Sequence, residues 1–339
     1  MKAMFSCLST LIFVLLTLTA QVVRADEVLA GPDHGPGILN VRSQSIGQSF
    51  RLTLPLLVPG DIPRGFQVFS QATWTNVWAE ESSYLLDYEM LDTTLGFSYG
   101  ISDRLGISVV MDKRSYFGGE MDGFIQGFHD LAGIDQNGRD DYSKGRAAIT
   151  FFDPDTRAVV EERSPGDLNN QGISLLVNYT VIQDHPILPA VNIYGVTRYA
   201  FEKADFISNG DEVDMGAGLG FAKQVVPRLH AYGVLGYTIY GSQDETKKEV
   251  INLKNYQVTG LFALAWSATP KLTAVAQYLH SSSVVEEIEG LKEASHEVHL
   301  GLKYKVSPRT GLNLSFIENI ITMDNSPDFG IHLGWFMSL

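Results

Sequence analysis

Apolar and polar residues alternate along most of the chain after position 65. In the last segment, Ile331 and Leu333 share one face, and His332 and Gly334 share the other. A repeat of two residues over this length is typical of a β-strand with one apolar and one polar side. Phe336 is the one large apolar residue that interrupts the polar face.

The same alternation recurs along the chain and predicts twelve strands in all. They are placed at 66–78, 84–101, 104–112, 172–182, 190–202, 212–224, 228–240, 254–267, 271–282, 294–306, 310–319 and 328–339. An even number of strands, each long enough for a tilted crossing of about ten residues, is typical of bacterial outer-membrane barrels. A further hairpin around Arg146 to Phe152 is the main alternative, and it would raise the count to fourteen.

The connections between these strands alternate in length. Short turns such as Val226-Pro227 lie at one end, and long polar connections such as 113–171 lie at the other. In hydrocarbon every backbone N–H and C=O needs a partner, so a membrane-spanning sheet must close on itself. The pattern predicts an all-β fold: a closed antiparallel transmembrane barrel with its polar face inward, periplasmic termini and one long extracellular loop containing a short helix.

Aromatic residues on the apolar phase cluster near both ends of the predicted strands. Trp74 and Trp78 lie near the long connections, whereas Tyr304 and Trp335 lie near the short turns. Two aromatic girdles at the two membrane interfaces are expected for such a barrel.

The N-terminus has the features of a secretory signal peptide. Lys2 precedes an apolar run from Leu8 to Ala20, and small residues before Asp26 suit cleavage there. The predicted organisation is a signal peptide at 1–25, a periplasmic lead-in or plug segment at 26–65, and the barrel at 66–339. The alternative roles of 26–65 stay open, because prolines and glycines favour an extended path without giving its place.

Composition narrows the chemistry of the mature chain. Cys7, within the signal peptide, is the only cysteine, which leaves no disulfide or thiolate metal site. Without Lys2 and Arg24, 23 basic residues face 39 acidic ones, a net charge of −16. Nucleic acid is excluded as a partner, because phosphate binding needs basic clusters. The expected partners are outer-membrane lipid, the barrel assembly machinery and a small polar solute.

The sharpest candidate for catalysis is an outward His-x-Ser pair. His280 and Ser282 continue the apolar phase at the long-loop end of the ninth predicted strand, and Glu286 follows in the next loop. A base beside a hydroxyl, oriented by a third group, is the requirement for nucleophilic catalysis. The pair resembles those of outer-membrane phospholipase A and lipid A deacylase. Calcium would be the cofactor under this hypothesis, and otherwise none is expected.

Two further sets of residues are candidates for a constriction or a solute path. Phe124 and Phe128 fall at helical spacing within the longest loop, where a short helix could fold into the lumen or only pack the loop down, and His129 beside them could bind a ligand or a metal. The lumen phase of the strands carries mixed charges, which could select a solute or form an ion-paired filling. The lumen candidates are Arg104, Arg198, Asp214, Glu297, His299 and Lys303.

Three stretches of sequence resemble one protein family. They are GILNVRSQ at 37–44, GGEMDGFIQGFHD at 118–130, and FIEN at 316–319 followed by SPDF at 326–329. They are similar to the signatures of a proteobacterial outer-membrane family catalogued as domain of unknown function 3187. The resemblance spans most of the mature chain and implies an outer-membrane location without implying an activity.

Together these patterns favour a non-enzymatic function. A polar lumen of mixed charge predicts a small-solute channel or binding barrel in the outer membrane of a Gram-negative bacterium. The alternative is an outer-leaflet lipid hydrolase that uses the His-x-Ser pair.

Overall fold

A computed structural model describes residues 35–61, 65–119, 121, 123, 127, 145, 147–183, 185–204, 212–319, 325–327 and 329–339. The predicted signal peptide and most of the predicted loop helix lie outside these residues. The strands are β1 Gly65–Glu81, β2 Tyr84–Gly100, β3 Leu105–Phe117, β4 Ala148–Phe152, β5 Val159–Arg163, β6 Asn170–Ile182, β7 Ala190–Glu202, β8 Glu212–Val226, β9 Leu229–Ile239, β10 Tyr256–Ser267, β11 Leu272–Ser281, β12 Ser295–Ser307, β13 Thr310–Asn319 and β14 Phe329–Ser338. Short 3-10 helices lie at Ile46–Ser49, Pro165–Leu168 and Glu245–Lys247.

Twelve of these strands close into an antiparallel barrel. Each barrel strand pairs with its barrel neighbour in sequence, and β1 pairs with β14 as well as β2, so the ring has no free edge. The predicted twelve-stranded barrel is therefore confirmed. The hairpin anticipated near Arg146 exists as β4 and β5, but it stays outside the ring: β4 pairs with β5 and, among the barrel strands, with the first residues of β2, from Tyr84 to Asp87.

The two faces of the barrel differ in polarity in the sense expected for a membrane protein. On β7, the inward Arg198 is fully buried, whereas the next residue outward, Tyr199, is 42% exposed. The outward phase is predominantly apolar, as with Leu175, Leu235 and Leu333 on three different strands. An apolar exterior around a polar interior is the reverse of a soluble protein and matches a barrel solvated by lipid. None of the helices within the described residues is long and apolar enough to cross a membrane.

The outer wall at the long-loop end of β1 and β2 is covered by protein. Trp78, expected at a lipid-facing girdle, is only 5% exposed and packs with Leu85 and Ala148. Alternation in one strand cannot reveal this, because the covering residue Ala148 comes from β4, far along the chain.

Glycine provides room for aromatic side chains inside the barrel near the short turns. A Cβ at Gly311 would overlap the Phe336 ring directly across β13 and β14, and one at Gly96 would overlap Phe69 across β1 and β2. Phe336, which interrupts the polar face of β14, thus fits because the residue opposite it on β13 is a glycine.

We expect Gly311→Val to destabilise the barrel by about 1–3 kcal/mol, because the added methyls would force Phe336 out of its position. Gly260→Val is the matched control, since the nearest atom to a Cβ at Gly260 is 4.0 Å away. The measurement is equilibrium urea unfolding of the folded barrel in lipid vesicles. Equal midpoints for the two variants would contradict this packing.

Candidate functional site: the filled interior of the barrel

Residues 35–61 form a hairpin-shaped segment inside the barrel, called the internal hairpin below. It begins near the short-turn end, where Gly35 lies against His230 and Tyr232 at the start of β9. Its tip, Ile46–Ser49, reaches the long-loop end, and the Gly47 N–H donates to Asn325 Oδ1 over 2.9 Å. The chain then returns to the short-turn end and enters β1 at Gly65.

The ascending limb is held by polar side chains of β11 and β12. The Lys303 ammonium donates to the carbonyl oxygens of Pro36 (2.6 Å) and Ile38 (2.7 Å). Gln277 accepts from the Leu39 N–H and donates to the Leu39 carbonyl, both over 3.1 Å. These wall side chains supply backbone partners that an isolated buried strand would otherwise lack.

Higher in the barrel the same limb binds a carboxylate. Glu297 accepts from the Ser43 hydroxyl and from the Gln44 N–H, and its second oxygen lies 3.3 Å from His299 Nε2. Glu297 and His299 are both fully buried. Two residues predicted from the lumen phase therefore meet each other and the internal hairpin.

A chain of buried ion pairs joins the hairpin to the opposite wall. Arg42 donates to Asp92 over 2.6 Å, and Asp92 also accepts from Arg114 over 2.7 Å. Arg42 lies 3.6 Å from Asp112, which accepts from Arg198 over 2.7 Å. In each pair the attraction between opposite charges offsets the cost of taking both ions out of water. Removing one ion therefore leaves its partner buried without a counter-charge.

The chain of ion pairs ends on β8. Arg198 lies 3.8 Å from Asp214, which Lys203 approaches to 3.3 Å. Arg198 must cross β6 to reach β3, and Gly172 on β6 leaves the space: a Cβ there would lie 2.6 Å from the Arg198 guanidinium. The glycine is required by the close approach of this side chain.

Charge on the hairpin itself follows from burial and pairing. Burial favours neutral Arg42, but the carboxylates of Asp92 and Asp112 outweigh it and raise the Arg42 pKa, so the guanidinium stays charged. Burial raises the pKa of Asp61, at the end of the descending limb, to about 6, although the Val58 N–H and Lys303 both oppose that rise. The hairpin therefore carries two permanent charges, Arg42 and Arg51, and one carboxyl group, Asp61, whose pKa is raised to about 6.

An apolar cluster closes the interior around the hairpin tip. Ile46 and Phe50 pack with inward residues of β1 and β2 and with loop residues including Val284 and Leu291, all of them buried. Apolar burial therefore holds the tip together with hydrogen bonds, among them the one from Gly47 to Asn325 and one from the Arg114 guanidinium to the Gln48 carbonyl (3.4 Å).

A cavity of about 300 Å³ lies between the hairpin and the wall. Its lining is partly apolar and partly charged; it includes Ile38, Leu54, Leu56, Phe69, Val110 and Leu261 together with Arg42, Asp61, Asp92, Lys303 and Lys305. Thr53 Oγ1 and Asn313 Oδ1 border the cavity and have no hydrogen-bond partner among the described residues. Convergent polar groups in an apolar concavity of this size are typical of a small-molecule site.

The predicted lumen residues divide into those inside the barrel and one that is not. Arg198, Asp214, Glu297, His299 and Lys303 lie in the interior. Arg104 does not: it is an exposed residue of the turn between β2 and β3, where its carbonyl accepts from the Thr180 N–H. Its strand begins one residue later, so Arg104 continues the inward phase of Gly106 and Ser108 only beyond the end of β3.

Other parts of the site were missed or lie beyond the described residues. Phe124, Phe128 and His129 lie outside the described residues. Arg42, Asp92 and Arg114 were not among the candidates, although the period-two phase of β2 and β3 places Asp92 and Arg114 inward. The role of Arg42 has no such signal, because the internal hairpin is not a strand.

The His-x-Ser pair does not form a relay in the structure. His280 faces outward beside His296, whereas the Ser282 hydroxyl accepts from the Val258 N–H over 3.0 Å. Glu286 instead accepts from the Asn252 amide. Among the described residues no hydrogen bond joins His280, Ser282 and Glu286, so this geometry gives the hydrolase hypothesis no support.

Comparison with known proteins gives one family and a set of distant folds. A family model described as a protein of unknown function (DUF3187) matches residues 13–337. No curated protein sequence matches. Solved structures with a similar fold include the NanC porin (11% identity, 80% of this chain and 100% of that chain, TM-score 0.45) and the transport unit of the autotransporter AIDA-I from Escherichia coli (11%, 86% and 95%, 0.44). Similarity at this level carries no information about what the chain binds.

Replacing Asp92 by Asn should loosen the internal hairpin, because Arg42 and Arg114 would lose a shared buried carboxylate. We expect a loss of about 3–5 kcal/mol in unfolding free energy and faster tryptic cleavage after Arg42 in the folded barrel, read by mass spectrometry. Glu245→Gln, which removes an exposed pair with Lys248, should change neither. Unchanged protection at Arg42 in the Asp92 variant would contradict this anchoring.

Proposed function

We propose a function for this chain, which belongs to the DUF3187 family, from the arrangement of its own interior: it is an outer-membrane barrel that binds a small solute beside its internal hairpin and passes it when the hairpin moves. The cavity of about 300 Å³ is the observation that carries the proposal. Export by the signal peptide and delivery to the barrel assembly machinery belong to the same proposal. The long-loop end then faces outside and the short-turn end faces the periplasm.

The composition of the cavity supports a solute with polar and apolar parts. Leu54, Leu56 and Phe69 offer apolar contact, and Lys305 and the free acceptor of Asn313 offer polar contact. A site of this kind fixes orientation through a few polar groups while burial supplies most of the affinity.

The position of the hairpin supports gating as opposed to a permanently open pore. Its limbs are joined to the wall by hydrogen bonds and ion pairs, while its tip is buried in the apolar cluster. A solute can pass only when the hairpin gives up these contacts with the wall. Binding of the solute would then shift the population from a state with the hairpin inside the barrel to a state with an open lumen.

A substitution in the wall should displace the descending limb. A Cβ at Gly220 would overlap the Leu57 carbonyl oxygen and lie 3.0 Å from the Val58 Cα, both of them backbone. We expect Gly220→Val to raise single-channel conductance and open probability in planar bilayers. Gly195→Val is the matched control, since the atom nearest to its Cβ is 4.0 Å away.

The opposite test holds the hairpin in place with a disulfide between its tip and the loop residue Val284. A Cβ at Gly47 lies 3.3 Å from Val284 Cγ2, which suits a disulfide in the Gly47→Cys, Val284→Cys variant. We expect the oxidised variant to be electrically silent and to conduct after reduction, because the tip can then leave the apolar cluster. The predicted mature chain has no other cysteine.

The proposal would be wrong if the wild type, Gly220→Val and the reduced cysteine variant all showed no conductance in planar bilayers. Liposomes that contain these proteins would also fail to swell in small sugars or amino acids. Folding of each variant is checked by its heat-modifiable migration.

A further inference from the structure

We propose that His280 and His296 form a binding site for a divalent transition-metal ion on the outer wall of the barrel, with Tyr278 orienting His296. This site is separate from the interior and does not depend on the function proposed above.

The pair is built by the register of two neighbouring strands. His280 on β11 lies directly opposite His296 on β12, and both side chains are half-buried on the outward face. Directly opposed residues bring their Cβ atoms to about 4.5–5.5 Å. The two imidazole rings are 5.0 Å apart between centroids and tilted by 50°. Nitrogens of two rings so placed can converge on one ion with little rearrangement.

Tyr278 lies diagonally across from His296 and fixes its ring. The phenol oxygen is 2.6 Å from His296 Nδ1, and the two rings also stack, 6.1 Å apart. This bond occupies Nδ1 and leaves Nε2 as the ligand. A histidine that binds a metal through one nitrogen commonly has its other nitrogen held by such a partner, which orients the ring.

The donor set selects the class of ion. Imidazole suits zinc, copper and nickel, whereas calcium and magnesium prefer oxygen ligands. Two imidazoles leave further coordination positions for water, because among the described residues no group of three or more His, Cys, Asp or Glu ligands is gathered. The site would therefore be an exchangeable one at the surface, with an affinity below that of a structural zinc site.

The test uses the full mature barrel in detergent, without a histidine tag, titrated with zinc chloride in a calorimeter. We expect one saturable zinc equivalent per chain and at least a tenfold loss of affinity in His280→Ala and in His296→Ala. His185→Ala is the matched control, because His185 lies in an exposed turn where its Nδ1 accepts backbone N–H groups. It should bind zinc as the wild type does.

Two further measurements separate a built site from loose association. Tyr278→Phe keeps the ring and removes the hydroxyl, so it should weaken zinc by about tenfold or more. Bound copper(II) should give an electron paramagnetic resonance spectrum with coupling to two imidazole nitrogens, reduced to one in either histidine variant. Absence of saturable zinc binding in the wild type, or wild-type affinity and copper spectra in the double histidine variant, would overturn the proposal.

Discussion

A closed barrel of twelve strands encloses more space than its inward side chains fill, and that surplus volume governs the rest of the structure. Eight strands make an interior just wide enough for side chains, whereas sixteen or more leave a channel. This chain fills the difference with its own residues 35–61. Inward glycines such as Gly216, Gly220 and Gly301 lie where Leu54, Leu57 and Leu39 of the hairpin approach the wall. The wall and its filling are thus complementary in shape.

Filling the interior with backbone creates a second requirement, because buried N–H and C=O groups need partners. Lys303 and Gln277 meet this need along the ascending limb. On the descending limb, the Asn192 amide donates to the Leu57 carbonyl over 3.5 Å. Buried charges need partners even more than buried backbone groups do. In the series Asp92, Arg42, Asp112, Arg198 and Asp214, each ion lies beside two ions of opposite charge. A polar lumen here is a set of matched contacts more than a water-filled space.

The two ends of the hairpin are held by different combinations of contacts. Its tip is buried among apolar residues from several loops and hydrogen-bonded to Asn325, whereas the ion pairs and the cavity lie along its limbs. Apolar burial is nondirectional and tolerates small shifts, but ion pairs in a dry interior lose their stabilisation once a partner moves. A ligand that enters the cavity and offers polar groups of its own is therefore the kind of molecule that could exchange the lower contacts without unfolding the wall.

Sequence by itself determined the twelve barrel strands and the inward phase of residues such as Arg198, Glu297 and Lys303, because a repeat of two residues is a local property of the backbone. It also limited the alternatives for residues 26–65 without choosing between them. Only the tertiary structure decided that Arg42 meets Asp92, that Leu39 bonds Gln277 across 238 positions, and that Trp78 is covered by β4. The same holds for His280 and His296, which face each other because of the register between β11 and β12. These contacts come from ring closure and from the path of an irregular segment, and neither leaves a periodic signal in the chain.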